Sequence, residues 1–400
     1  AYKLTKKDLY KEVVFETLEW VAREMTNADG GFYSALDADS EGEEGKYYVW
    51  KLEEIEQIVQ RVSPELEGIA LKVFKEYFSV NETGFWEGNY IFLRKKTDEE
   101  VAKEFKLSVD ILQRYISAIK RRFLIEREKR IHPGLDDKQL TSWNALMIKG
   151  YCDAYDAFGE ASFLDAAKRC ANHILKEAKQ PDGGLYRTYK QGKPTINGYL
   201  EDYSFIMEAL IALYQSTFSE HWLNEAKRLA DYAIAHFFDE ESQMFWFTSD
   251  TSPKLISRKK EIGDNVIPAS NSSMAKALFY LGKYFEEKRY MEISSQMLNN
   301  VKDAMSAYGS SYSNWGILML YNTEPFHEVV IAGKEAEQKR KELAQSYLPN
   351  KILAGAANDK SQLSLLKNRF SNERTEIYVC ENRTCKLPVQ QVTEAILSLK

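Results

Sequence analysis

Four hundred residues suffice for one large core, or for one large domain with a small one beside it. A hydrophobic fraction of 44% is that of an ordinary globular chain, and a net charge of −6 argues against a nucleic-acid partner. No run of 18 apolar residues is present, so no membrane-spanning helix is expected.

The chain opens AYKLTKKDLY, without an initiator Met, as a processed or truncated product would. No secretory signal is visible, and a cytoplasmic location is expected. Helical spacing predicts helices over 7–26, 52–60, 64–78, 108–129, 141–158, 162–179, 199–219, 221–238, 268–287, 289–307 and 311–321. They are of two kinds. HWLNEAKRLADYAIAHFF (221–238) has an apolar stripe and a charged face, the pattern of a helix with one side in water. YLEDYSFIMEALIALYQSTF, TSWNALMIKGYCDAYDAF and PASNSSMAKALFYLGKYF are apolar nearly all round and read as buried.

Amphipathic helix, Gly-containing hairpin or loop, and buried helix follow one another regularly, with Asp182-Gly183-Gly184 as one turn signal. Outer–inner helix pairs recurring every 45–70 residues suggest stacked units. Buried inner helices favour a closed ring, an (α/α) toroid, over an open solenoid. In such a ring the inner-helix N-termini line a common funnel. From Pro325 the pattern changes. Short β-branched runs EVVIAG (328–333), KILAGA (351–356) and EIYVC (376–380) alternate with helical stretches at 334–346 and 391–399. The expected organisation is a toroid over 1–323 and a small α/β subdomain over 324–400.

The densest motif is GGFYSALDADSEGEEGKYYVW, Gly30 to Trp50. Asp37, Asp39, Glu41, Glu43 and Glu44 fall within eight residues, among Tyr33, Tyr47, Tyr48 and Trp50. Carboxylates with flat rings suit a sugar site. A calcium loop would begin at Asp37, but its bidentate Glu position holds Tyr48. A solvated acidic turn is the third reading.

Four buried helices open on polar groups. DDKQLTSWNAL brings Asp136, Asp137, Trp143 and Asn144 to one opening; GYLEDYSF brings Tyr199, Glu201, Asp202 and Tyr203 to the next. NVIPASNSS adds Ser270, Asn271 and Ser272, and SSYSNWGIL adds Asn314 and Trp315. Capping and dipole compensation explain part of each opening. Their recurrence is what points to one cavity. The candidate acid/base residues are Asp37, Asp39, Asp136, Asp137, Glu201 and Asp202. The candidate ligand contacts are Tyr33, Trp50, Trp143, Asn144, Tyr203, Asn271 and Trp315.

His173, His221 and His236 fall on outer helices and His327 in the C-terminal segment, leaving His132 near a candidate mouth. Acid/base work therefore falls on carboxylates. No phosphate loop, nucleophile elbow or dinucleotide fingerprint occurs. No cofactor or metal is expected. The four cysteines give no disulfide framework: Cys152 and Cys170 read as core residues, and Cys380 and Cys385 as structural or incidental.

With these residues in view, the chain resembles the spermatogenesis-associated, thioredoxin-like protein family. The resemblance rests on GGFYSALDADSEGEEGKYYVW, DDKQLTSWNALMI, GYLEDYSFIMEAL, PASNSS and YVCENRTCKLPV, in family order; Ala145 and Ala269-Ser270 stand where Gly and Ser-Gly are expected. It implies a six-hairpin glycosidase-like toroid, related to sugar 2-epimerases and several glycoside hydrolases. It also implies an upstream thioredoxin-like segment. Five outer–inner pairs can be counted here, one short of six, so the resemblance implies a toroid incomplete at its N-terminus. The preferred reading is carboxylate-driven glycoside hydrolysis of a small-molecule or oligosaccharide ligand. The alternatives are a non-catalytic binding or scaffold module, or a sugar 2-epimerase.

Overall fold

The computed structural model describes residues 1–61, Leu66, 68–253 and 256–399. Its contacts divide the chain into two compact units: Ala1–Ser34 with Asp137–Lys400, and Ala35–Asp136.

The larger unit is built on helix pairs. The Thr141–Phe158, Leu200–Thr217, Ser270–Phe285 and Ser313–Thr323 helices pack against one another in that order. The first three are each covered by the helix that follows: Ala161–Glu177, Glu220–Phe237 and Lys288–Ala307. Burial follows the sequence pattern. The Leu200–Thr217 helix buries residues on all sides, whereas Glu220–Phe237 buries a stripe of Trp222, Leu223, Ala226, Leu229, Ala230, Ala233, Ile234 and Phe237. The chain is thus mainly α, with the outer–inner helix pairs of an (α/α) toroid. Among the described residues no helix is long and apolar enough to cross a membrane.

The link from outer to inner helix is a repeated tight turn. Thr26 bridges Phe32, Lys179 bridges Leu185, and Phe238 pairs with Phe245. The first two turns carry Asp-Gly-Gly. Gly30 and Gly183 both sit at φ 96°, where a side chain is strained. The glycine after each has no room for a Cβ, which would strike Gln139 at Gly31 and the Tyr232 hydroxyl at Gly184.

The C-terminal segment forms a four-stranded sheet. His327–Ala332 lies between Lys351–Ala356, parallel to it, and Glu376–Glu381, antiparallel; Thr384–Cys385 adds the edge. One face (Val329, Ile331, Leu353, Ile377, Val379) packs on Ala336, Leu343, Val392 and Ala395 of two helices. The C-terminal segment is joined to the inner helices by polar contacts from its Ala336–Ala344 helix and its sheet. Arg340 donates to Asp156 at 2.9 Å and to the Tyr155 hydroxyl at 3.0 Å, and the Tyr284 hydroxyl donates to the Leu353 carbonyl at 2.9 Å.

One cysteine expectation is corrected here. Cys380 and Cys385 stand directly opposite across a two-residue hairpin and form a disulfide. Spacing along the chain did not reveal this, because the turn at Asn382-Arg383, both at positive φ, brings the two together. Cys152 and Cys170 are buried free thiols, as expected of core residues, and burial pushes both thiols up.

The smaller unit, Ala35–Asp136, contains the Leu52–Val59, Ala70–Tyr77, Asp98–Glu104 and Val109–Arg127 helices around Ile55, Val73, Phe74, Val101, Leu112, Ile119 and Phe123. Of the helix expected over 64–78, residues 64, 65 and 67 lie outside the described residues. The Asp98–Glu104 helix was not expected. Its signal is a capping box: the Thr97 hydroxyl accepts from Glu100 N–H and the Glu100 carboxylate accepts from Thr97 N–H.

Candidate functional site

The first turns of the inner helices leave backbone N–H groups without intrahelical partners. In the larger unit, side-chain carboxylates meet them. Asp202 Oδ2 accepts the Tyr199 N–H at 2.8 Å, capping its own helix, and Asp202 Oδ1 accepts the Ser142 N–H of the neighbouring inner helix at 2.9 Å. One carboxylate therefore joins two helix N-termini, where the dipoles favour negative charge.

Arg187 completes the cluster. Its strand, Tyr186–Lys190, pairs with Gln139–Leu140, which leads into the Thr141–Phe158 helix. The Arg187 guanidinium lies 2.5 Å from Glu201 Oε1 and 3.2 Å from Asp202 Oδ2, and over the Tyr199 ring at 4.8 Å. Burial works against the Arg187 charge, yet Asp202 and Glu201 outweigh it and leave its pKa raised. Asp202 has no solvent exposure, and burial lifts its carboxyl to about 6 against the pull of Arg187 and two backbone N–H groups. Glu201 is 7% exposed. Trp143 stands beside Ser142 in the first turn of the adjacent helix and is 43% exposed. Asp137 is held below the ordinary carboxylate range by its hydrogen bond from Lys190, with Gln191 donating at 3.2 Å.

A second bridge of the same kind lies at the next pair of inner helices. Asp264 Oδ1 accepts the Ala269 N–H at 2.9 Å and the Ser272 hydroxyl at 2.7 Å, and Asp264 Oδ2 accepts the Asn314 N–H at 2.8 Å. Glu261 accepts the Ser270 N–H at 3.0 Å. Sequence reasoning missed both residues. Their signal was the Glu-x-x-Asp of KKEIGDNVIPASNSS, upstream of a helix start and so outside the first-turn windows considered.

Four of the expected ligand contacts serve the scaffold. Asn144 accepts the Phe32 N–H at 2.6 Å and donates to the Phe32 carbonyl at 2.9 Å; Asn271 does the same for Phe245, at 2.9 and 3.0 Å. The Tyr203 hydroxyl accepts the Leu185 N–H at 2.8 Å. Phe32, Leu185 and Phe245 occupy equivalent places in the three turns, so each inner helix grips the turn before it. Trp315 is fully buried and donates to the Ile262 carbonyl at 2.8 Å. Tyr33 is half-buried, with its backbone N–H donating to the Met25 carbonyl.

Asp37, Asp39, Asp136 and Trp50 belong to the smaller unit. Asp37 and Asp39 are exposed, Asp39 pairs with Glu44 across a hairpin, and Asp136 pairs with Ala35. Lys46 Nζ lies 2.9 Å from Glu43 and 3.5 Å from Glu41. Trp50, expected at a ligand, is instead a core residue. It is 4% exposed, packed on Phe92 and Phe123, with Arg130 over its ring at 3.9 Å. Among the described residues no group of three or more His, Cys, Asp or Glu is placed to hold a metal ion.

The larger unit also holds a cavity of about 720 Å³. The middle and C-terminal parts of the inner helices line it with Lys149, Asp153, Glu208, Lys276, Tyr280 and Tyr321. Lys276 lies 3.3 Å from Glu208 and donates to Asn314 at 2.6 Å, and the Tyr280 hydroxyl donates to that of Tyr321 at 3.1 Å. The sequence signal was a charge in the middle of each otherwise apolar helix: Lys149, Glu208 and Lys276.

No protein-family model matches the chain. It is 27% identical to spermatogenesis-associated protein 20 of Homo sapiens, across 98% of this chain and 55% of that protein. It is 26% identical to spermatogenesis-associated protein 20 of Mus musculus, across 98% of this chain and 55% of that protein. The chain spans about half the length of the curated relatives it matches. Among solved structures, it is similar to a GH76 α-mannanase of Bacteroides thetaiotaomicron at 12% identity and a TM-score of 0.38, over 90% of this chain and 92% of the other. It is also similar to a cellobiose 2-epimerase of Bacillus thermoamylovorans at 12% identity and a TM-score of 0.36, over 74% and 73%.

Proposed function

We infer that the larger unit is a carbohydrate-active module whose ligand lies at the inner-helix N-termini. The observation that supports this is the Glu201–Arg187–Asp202 cluster beside exposed Trp143. Two adjacent carboxylates share one guanidinium but not one environment. Asp202 is enclosed and tied to two backbone N–H groups, so it positions and tunes. Glu201, at the edge of solvent, is the acid/base group. Trp143 offers a flat apolar face for a sugar ring. Asp137, on a chain segment pairing with the Arg187 strand, is the second carboxylate that glycoside hydrolysis requires.

The test is turnover on a panel of oligosaccharides. Glu201→Gln and Asp137→Asn should each lower kcat by about 10²–10⁴-fold, while Trp143→Ala chiefly raises KM. Wild-type turnover in Glu201→Gln overturns the assignment. A specific observation favours a second reading, a non-catalytic binding module working with a thioredoxin-like segment: Asp202, Asn144 and Asn271 are all engaged with backbone. Sugar-induced thermal stabilisation without turnover supports that reading.

A further inference from the structure

The Cys380–Cys385 disulfide lies on the face of the C-terminal sheet opposite its packed core. Along Glu376–Glu381, Ile377 and Val379 point into that core, so Tyr378 and Cys380 point the other way. Directly across from Cys380 are Glu328 on one side and Cys385 on the other. Cys380 is 1% exposed, whereas Cys385 is exposed on the edge strand. Over this face lies Arg369. Its guanidinium is 3.6 Å from Cys380 Sγ and 3.3 Å from Cys385 Sγ, and stacks on the Tyr378 ring at 4.9 Å.

A purely structural cystine gains little from a guanidinium, since neither sulfur carries charge. A thiolate gains a great deal. Partial burial pulls Arg369 below its usual pKa, against the opposing pull of Tyr378 and Glu328, so an anion formed at the sulfurs it touches would add to its stabilisation. Glu328 does not supply that anion by contact. Its Oε2 accepts the Arg383 N–H at 3.3 Å, and its Oε1 lies 3.7 Å from Lys283.

We propose that Cys380 and Cys385 form a redox-active pair that exchanges with a dithiol, with Arg369 as its positioning residue. A thiolate of the dithiol attacks Cys385 Sγ, the exposed sulfur. The Cys380–Cys385 bond breaks, a mixed disulfide forms on Cys385, and Cys380 leaves as a thiolate beside Arg369. The second thiol of the dithiol, once deprotonated, attacks its own sulfur in the mixed disulfide and releases Cys385 as a thiolate. Two electrons pass from dithiol to protein. The two protons lost by the dithiol go to solvent or to the released thiolates.

The test treats the folded chain with dithiothreitol, traps thiols with iodoacetamide, and follows the modified peptides by mass spectrometry. The pair should open in the native state and gain an alkyl group on exposed Cys385, with buried Cys380 labelled only after unfolding; a reduced sample left unalkylated should close again in oxidised glutathione. Cys152 and Cys170, both buried, stay unmodified as internal controls. Arg369→Ala should slow reduction about threefold to tenfold, and Arg369→Lys should recover part of the rate. Circular dichroism establishes that each variant is folded. In Cys385→Ala, Cys380 should resist alkylation until the chain is unfolded. A pair that opens only on unfolding, or that fails to re-form in oxidised glutathione, overturns the proposal. Wild-type reduction rates in both Arg369 variants overturn the role of Arg369.

Discussion

Asp202 and Asp264 do the same backbone work in two neighbouring regions, and their differences show what a capping carboxylate needs in order to do more. Each accepts N–H groups from the first turns of two adjacent inner helices. Asp264 is half-buried and is completed by a serine hydroxyl. Asp202 is fully enclosed, has a second carboxylate as its chain neighbour, and shares Arg187 with it. Capping therefore explains Asp264 entirely. At Asp202 it leaves Glu201, Arg187 and an exposed tryptophan unexplained, and the functional proposal rests on that remainder.

The largest effect that would break this comparison is on stability. Asp202→Ala leaves two backbone N–H groups without their acceptor and part-buried Arg187 with Glu201 alone, and should destabilise by about 3–5 kcal/mol. Asp264→Ala removes an acceptor but strands no ion-paired guanidinium, and should cost about 1–3 kcal/mol. Urea denaturation measures both, and equal losses would erase the distinction. Asn144→Ala and Asn271→Ala should each cost about 2–3 kcal/mol and agree within about 1 kcal/mol, because each loses two contacts to the preceding turn and one to a further backbone carbonyl.

A pH series sharpens the comparison. The Asp202 carboxyl rises from 3.8 to about 6 on folding, so the folded state holds its proton more tightly than the unfolded state. That contribution to stability is fully present below the unfolded value and is lost as pH rises to about 6. The stability of wild type relative to Asp202→Asn should therefore fall between about pH 4 and pH 7. A difference that grows with pH would show that the ionised form is the favoured one. The smallest expected effect is at Trp143. As an exposed residue, its replacement by alanine should change stability by less than about 0.5 kcal/mol, yet abolish any sugar-induced rise in Tm.

Much of the fold was legible because periodicity is a local property. The outer stripe of Glu220–Phe237 and the all-round burial of Leu200–Thr217 can be read from residue spacing alone, and so can the alternation of short strands and helices after Pro325. The Asp98–Glu104 helix escaped although Thr97 and Glu100 carry its capping box, because its apolar pattern is too short to show a period.

The proposed site was only half legible. Glu201, Asp202, Trp143 and Asp137, on which the proposal rests, were singled out because helix openings concentrate polar groups. The same rule also returned Asn144, Asn271, Tyr203 and Trp315, whose polar atoms meet backbone. Residue type does not distinguish a ligand contact from a clamp on the preceding turn, since both need a buried hydrogen-bonding side chain at a helix start. Glu261 and Asp264 lay before the helix they cap and were passed over.

The sequence by itself determined the helix pairs, the small C-terminal sheet and the family likeness, because those depend on local pattern and on motif order. Tertiary structure alone decided which carboxylate is enclosed, that Arg187 reaches two acids at once, that Trp50 is core, and that Cys380 meets Cys385. The physical reason is the same in each case. Burial, charge pairing and bond formation depend on what lies across space from a residue, and for Asp202 the decisive neighbour, Ser142, is sixty positions away along the chain.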